Sequence, residues 1–259
     1  MVRFARVFLD AGFSFNTFSL GFSYLSMKAS IKIPSSLNEI TLGQYQKFKQ
    51  TADKFEESND FLLQKMIECF CNIELKHVLL IERKSVLEIA NEINAYFSGN
   101  YELIPRFKIK DVEFGFIPNL EKISQGEYAD LDSYITDWQQ MHKAMAVLFR
   151  PIKDTKKEKY SIQDYQGTDE FAELMRFMPL DVALGAYVFF YRLGSELLSS
   201  TLRFLQEEAK AMVLQWEGNS ELSGDGIIQS IDLLTEKYST LTKSPANPFT
   251  NALPISPMK

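Results

Sequence analysis

Leu37-Asn38-Glu39-Ile40-Thr41-Leu42-Gly43-Gln44-Tyr45 returns, altered but recognisable, as Leu120-Glu121-Lys122-Ile123-Ser124-Gln125-Gly126-Glu127-Tyr128. Each copy follows an Ile-Pro step, Ile33-Pro34 in the first and Ile117-Pro118 in the second. The repeat sets the plan of the chain: an extended segment, a proline, then a helix, twice. Thr41 with Gln44, and Ser124 with Glu127, have the spacing of a capping box. In that motif the hydroxyl takes the third helical N–H and the longer side chain reaches back to the cap. Ile40 with Tyr45, and Ile123 with Tyr128, are placed to staple the same turn hydrophobically. Gly43 and Gly126 are left over, because a glycine in a first turn weakens a helix. Close approach of another backbone is the reason expected at both.

From the first copy, a helix is expected over about Leu42 to Glu56. A second, capped by Asn59, would bury Phe61, Leu62, Met66, Ile67 and Phe70. Ser85-Val86-Leu87-Glu88 has the form of another capping box, opening a helix through Phe97 that Gly99 stops. Between the two copies, Phe107, Ile109, Val112, Phe114 and Phe116 alternate with polar or small residues around Lys110-Asp111, which predicts a β-hairpin. Lys-Asp is a poor pair for a two-residue turn, so a longer loop is expected. Ile31 and Ile33 offer a third strand.

After the second copy, Tyr128, Leu131, Ile135, Trp138, His142, Met145 and Phe149 step by three and four. They predict one buried helix face from Gln125 to Phe149, ended by Pro151. Tyr160 to Gly167 reads as a loop, and Thr168 as the cap of a short helix through Phe177. Pro179 suits the first turn of a helix running from Leu180 to Trp216, with Gly194 as its natural bend. Its first half is apolar on most sides, which places it centrally. Arg192, Glu196, Ser199, Arg203 and Glu207 form a polar stripe, either a solvent edge or a seam for another subunit. Asp225 to Lys243 reads as a last amphipathic helix. The fold class is mainly α (α+β): a helical bundle around a long central helix, with a small β-hairpin or three-stranded antiparallel sheet.

The segments divide into a leader over 1–26, a strand and short-helix subdomain over 27–100, the hairpin over 101–123, a helical core over 124–243 and a Pro-rich tail over 244–259. We read Met27-Lys28 as the natural start and the Phe-rich leader as an over-extended reading frame. No unbroken apolar core and small-residue cleavage site mark the leader as a secretory signal.

Twenty-eight basic against 34 acidic residues give a net charge of -6, which argues against nucleic acid as the main partner. The run from Lys153 to Lys159 reads as a solvated loop. The longest apolar stretch, Leu180 to Leu193, is too short and too interrupted to span a bilayer. Cys69 and Cys71 suggest no disulfide framework, and their single intervening residue does not suit zinc. His142 lies on an apolar face, where a hydrogen-bonded core histidine is expected. Asp130, Asp132 and Asp137 form the candidate carboxylate set, and acidic residues early in a helix are explained by the helix dipole. An enzyme built on Asp130, Asp132 and His142 is the third-ranked reading, and mutating those residues is expected to destabilise the fold. The sequence therefore implies no catalytic residue, cofactor or metal. The candidate partner-binding residues are Gly43, Gly126, Tyr160, Tyr165, Arg192 and Glu196.

Ile40 to Tyr45, a short helical segment ending near Glu74-Leu75, and the Ser85-Val86-Leu87-Glu88-Ile89-Ala90 helix together resemble the small tail assembly chaperones of tailed bacteriophages. The run Met141 to Ile152, with Met178 to Gly185, resembles uncharacterised proteins encoded among phage virion genes. The resemblance implies a non-enzymatic tail or baseplate assembly protein holding an apolar segment of a tape-measure or tube protein between its helices. A structural subunit of the tail, baseplate or connector is the alternative. The partners implied are other phage tail or virion proteins, with a homo-oligomer allowed and neither nucleic acid nor membrane expected. The location implied is the host cytoplasm, or the virion for a structural subunit. No functional residue carries over from either family.

Overall fold

The computed structural model describes residues 3–8, 28–54, 59–157 and 159–216. Strands β1 (Arg3–Phe8) and β2 (Lys28–Ile33) pair antiparallel, with Arg3 opposite Ile33. Ile31 and Ile33 are buried. They enter the core through this two-stranded ribbon and do not extend the hairpin, since a strand can add only where a sheet edge lies beside it.

Both copies of the repeat open helices by the expected chemistry. The Thr41 hydroxyl accepts the Gln44 N–H at 3.2 Å, and the Gln44 side chain accepts the Thr41 N–H at 2.8 Å, opening α1 (Leu42–Ala52). Such a cap stabilises by about 1 kcal/mol. Three further helices follow: α2 (Asn59–Phe70), α3 (Leu75–Val78) and α4 (Arg83–Tyr96). The N-cap of α4 is Glu82, three residues ahead of Ser85, and its side chain makes no cap hydrogen bond. Tyr45 stacks with Phe97 and Phe48 meets Phe70, which ties α1 to α2 and to the end of α4.

The hairpin β3 (Arg106–Ile109) and β4 (Val112–Phe116) forms where the alternation places it, but its turn is tighter than expected. Ile109 pairs with Val112, leaving only Lys110 and Asp111 between them, and Lys110 takes φ 52° to close the loop. Two more strands extend the sheet. After α5 (Gln125–Tyr134) and α6 (Met141–Leu148), β5 (Phe149–Lys156) and β6 (Lys159–Ile162) give the antiparallel order β3-β4-β5-β6. The basic run from Lys153 is thus mostly strand, and Tyr160 belongs to β6 where a loop was expected. Their mutual pairing, Thr155 with Tyr160 and Lys156 with Lys159, fixes both stretches as extended.

The single helix expected from Gln125 to Phe149 is two. Asp137 interrupts it: its carboxylate accepts the Gln139 N–H at 2.8 Å, and a polar side chain bonding its own backbone competes with helical pairing. Tyr128 is then 56% exposed, off the buried face, whereas Tyr45 in the first copy is fully buried. Helix α6 carries the most buried sequence of the chain, with Met141, Ala144, Met145, Val147 and Leu148 fully covered.

The short helix α7 (Ala172–Met175) leads into α8 (Leu180–Trp216), 37 residues long and unbroken at Gly194. Leu180, Val182, Ala183, Leu184 and Ala186 are buried, so the first turns of α8 form the central helix of an α+β fold. One buried cluster runs from Ile31 to Val188. The amphipathic segment Asp225 to Lys243 and the Pro-rich tail lie outside the described residues.

Candidate partner-binding groove

Val78-Leu79-Leu80-Ile81 puts four apolar residues in a row at the end of α3. A single helical turn cannot face all four inward, and two of them turn in while two turn out. Val78 and Ile81 are buried, whereas Leu79 is 60% and Leu80 42% exposed. Leu79 borders a groove of about 210 Å³ among α2, α3 and α4, whose floor is Leu63, Val78 and Val86. At its rim Arg83 donates to both carboxylate oxygens of Asp60 at 3.2 Å, joining the starts of α4 and α2. Ligand pockets for small molecules run to roughly 300–1,000 Å³ with convergent polar groups. This groove is smaller; most of its lining residues are aliphatic, but the surface it presents is somewhat more polar than apolar, and its size suits a side chain or two of a protein segment. The four-residue apolar run was its signal in the sequence, since an uninterrupted run at a helix end exceeds what one buried face can take.

The residues singled out from the sequence lie elsewhere. Gly43 meets the expected close approach: its N–H donates to the Arg176 carbonyl at 2.8 Å, and a Cβ there would stand 3.0 Å from that oxygen. The Leu42 N–H donates likewise to Met178, and Thr41 bridges Pro179. The first copy of the repeat therefore docks its exposed helix-start N–H groups on the entry to α8. Gly126 differs: no atom lies within 4 Å of the position its Cβ would take, so the approach expected at both glycines exists at one.

Tyr160 and Tyr165 are engaged within the molecule. The Tyr160 hydroxyl donates to the Phe116 carbonyl at 2.9 Å, its ring covers Gly115, and the Arg106 guanidinium lies over the ring at 5.4 Å. The Tyr165 hydroxyl donates to Asp130, and Arg150 sits over the Tyr165 ring at 5.5 Å. Burial, then the bond to Asp130, pushes the Tyr165 phenol well above its ordinary pKa. Arg192 and Glu196 are exposed on α8, beyond its packed turns.

His142 is a core histidine. Its ring is 3% exposed, with Gln46 Nε2 3.0 Å from Nδ1 and Arg176 donating to Nε2 at 3.1 Å. Both facing nitrogens, of the guanidinium and of the carboxamide, are donors, so the ring meets them as an acceptor and a second proton on it is opposed. Gln46 is held in turn by the Trp138 carbonyl at 2.8 Å and by Arg176 at 3.1 Å. Burial first, then the adjacent Arg176, lowers the imidazole pKa and keeps it neutral. Asp130 is committed to Tyr165, so it and His142 have separate partners, and Asp132 faces solvent. Among the described residues no three His, Cys, Asp or Glu side chains cluster as a metal site.

Comparison with protein-family models, curated proteins and solved structures gives no match. Among the described residues no helix is long and apolar enough to cross a membrane.

Proposed function

We propose that the chain is a non-enzymatic bacteriophage tail or baseplate assembly protein of the tail assembly chaperone kind. It holds an apolar segment of a tape-measure or tube protein in the groove among α2, α3 and α4, acting in the host cytoplasm. The observation that carries this reading is Leu79, 60% exposed at the rim of a groove floored by the core residues Leu63, Val78 and Val86. An apolar side chain from a partner would cover Leu79 and fill the groove, and the Asp60–Arg83 pair would meet the polar edge of the same segment. Burying exposed aliphatic surface contributes about 25 cal/mol per Å². A segment covering Leu79 and Leu80 therefore gains several kcal/mol before its ordering cost, which suits reversible holding.

Co-expression with the other products of a tail gene module, followed by affinity capture, tests the proposal. A tape-measure or tube protein should be retained by the native chain and lost from a Leu79→Asp/Leu80→Asp variant of unchanged melting temperature. Retention by that variant, or capture of no tail protein, rejects it. The second reading, a structural subunit of the virion, draws support from the exposed outer half of α8. Mass spectrometry of purified particles separates the two, since a chaperone is missing from mature virions.

A further inference from the structure

Val188 is the last described residue of α8 that is buried; from Tyr191 onward every side chain that is described is exposed or half-exposed. Phe204 is 60% and Leu205 46% exposed, apolar surface of the kind that marks an interaction site. Leu193, Ser200 and Phe204, with position 197 between them, step by four, three and four residues along one line. This is the spacing of a coiled-coil seam, and it makes Glu196 and Arg203 both g positions, seven residues apart. Both are exposed.

We propose that this outer half of α8 pairs antiparallel with the same helix of a second copy, about a two-fold axis passing near Ser199. The charges select that arrangement. Glu196 lies three residues before Ser199 and Arg203 four after, so each Glu196 comes level with Arg203 of the other copy, twice over. Arg192 and Glu207, seven before and eight after, also come level, but at a c and a seam position; the flank pairs are those of Glu196 with Arg203. In an antiparallel coiled coil the g positions of the two helices share a flank, which is where these ion pairs form. Along the seam Leu193 comes level with Phe204 of the second copy, putting an aliphatic side chain against the exposed ring. A parallel pair gains Arg203 with Glu208 but leaves Glu196 beside Thr201 and sets Glu207 against its own copy in the seam. A self-complementary patch of this kind closes as a dimer and does not propagate. The pairing is independent of the groove, which lies among α2, α3 and α4.

The test uses the full chain in sedimentation equilibrium across a concentration series. E196R and R203E should each weaken the dimer by roughly tenfold or more, because each substitution sets like charges together at two symmetric places. An equimolar mixture of E196R and R203E should recover dimers to within about threefold of the native affinity, since each reversed charge then meets its opposite. Contacts inside one helix cannot produce that recovery: mixing leaves every helix with its own altered neighbours. S200C, the seam position beside the axis, should also cross-link between copies under oxidising conditions, while R192C, about 20 Å from its counterpart at a rise of 1.5 Å per residue, should not. Circular dichroism confirms that the variants, all at exposed helical positions, remain folded. A chain that stays monomeric at high micromolar concentration overturns the proposal and assigns the apolar face of α8 to the segment beyond Trp216 or to another protein. A dimer indifferent to both charge reversals also overturns it.

Discussion

The Glu127 carboxylate and the Arg150 guanidinium meet at 2.5 Å with their side chains 8% and 7% exposed, an ion pair sealed between the first turn of α5 and the second residue of β5. Glu127 is also the reaching arm of the second capping box, accepting the Ser124 N–H at 2.7 Å. One carboxylate thus serves a local motif and a tertiary joint. Burial alone would raise its pKa, but the hydrogen bonds with Ser124 and the charge of Arg150 outweigh that and hold it below the ordinary value.

Removing one partner leaves the other charge buried. Arg150→Met is expected to cost about 3–5 kcal/mol, and a Glu127→Gln/Arg150→Met double variant to recover part of it. The pH dependence follows from the lowered pKa. The unfolded chain takes up the proton first, so the stabilisation is complete above the unfolded value near 4.5 and is lost as the pH falls through the lower folded value. Urea midpoints between pH 5 and pH 3, with a flatter fall in Glu127→Gln than in the native chain, check both statements.

Gly43 and Gly126 occupy the same place in the repeat and should respond oppositely to alanine. At Gly43 a Cβ would press within 3.0 Å of the Arg176 carbonyl, a backbone atom already fixed by accepting the Gly43 N–H. Gly43→Ala is expected to destabilise by about 1–3 kcal/mol. At Gly126 the space is open, and alanine improves helix propensity, so Gly126→Ala is expected to stabilise by about 0.5–1 kcal/mol. Thermal melts of the two variants decide it; shifts of the same sign would remove the close approach as the reason for Gly43.

The helix starts were legible because their chemistry is local: a hydroxyl, a carboxamide or carboxylate three residues on, and a staple need no knowledge of the rest of the fold. The bounds of α8 were legible for a similar reason, with Pro179 at its first turn and a long apolar run behind it. The core placement of His142 followed from the apolar spacing around it. What escaped depends on distant partners. The run from Lys153 to Lys156 becomes strand because β6 folds back along it, Asp154 opposite Ser161 and Lys156 opposite Lys159, a pairing that its lysines and Asp154 do not advertise. The break at Asp137 escaped because Ile135 and Trp138 keep the three-and-four rhythm across it. Trp138 remains half-buried after the break, packing edge-on to Tyr45 at 5.0 Å from a turn. The groove escaped because burial, not pattern, separates Val78 and Ile81 from Leu79 and Leu80.

His142 should make the fold sensitive to mild acid. Its pKa is lowered in the native state by burial and by Arg176, so below the ordinary value of 6.5 the unfolded chain binds a proton that the native chain refuses. Stability is therefore complete above about pH 6.5 and declines as the pH falls toward the lower folded value. His142→Ala removes that slope and leaves Arg176 and Gln46 short of a partner in the core, at an expected cost of about 2–4 kcal/mol. Denaturant titrations at pH 7.5 and pH 5.5 measure both effects, and an unchanged slope in the variant would assign the acid sensitivity elsewhere.

Cys69 and Cys71 should be inert thiols in the native protein. Both are buried, at 3% and 6% exposure, with burial pushing Cys69 up to about 11 and Cys71 up to about 12. The thiolate is the reacting species, so at pH 8 the reactive fraction of Cys69 falls roughly a hundredfold below that of a free thiol, and that of Cys71 falls further. Exposure limits the reaction again, because a bulky aromatic disulfide must reach sulfurs packed behind α1 and α4. Titration with such a reagent should therefore release almost nothing from the folded chain and two equivalents in strong urea. Rapid native release of even one equivalent would mean that α2 opens far more readily than its packing against Phe48 and Ile93 implies.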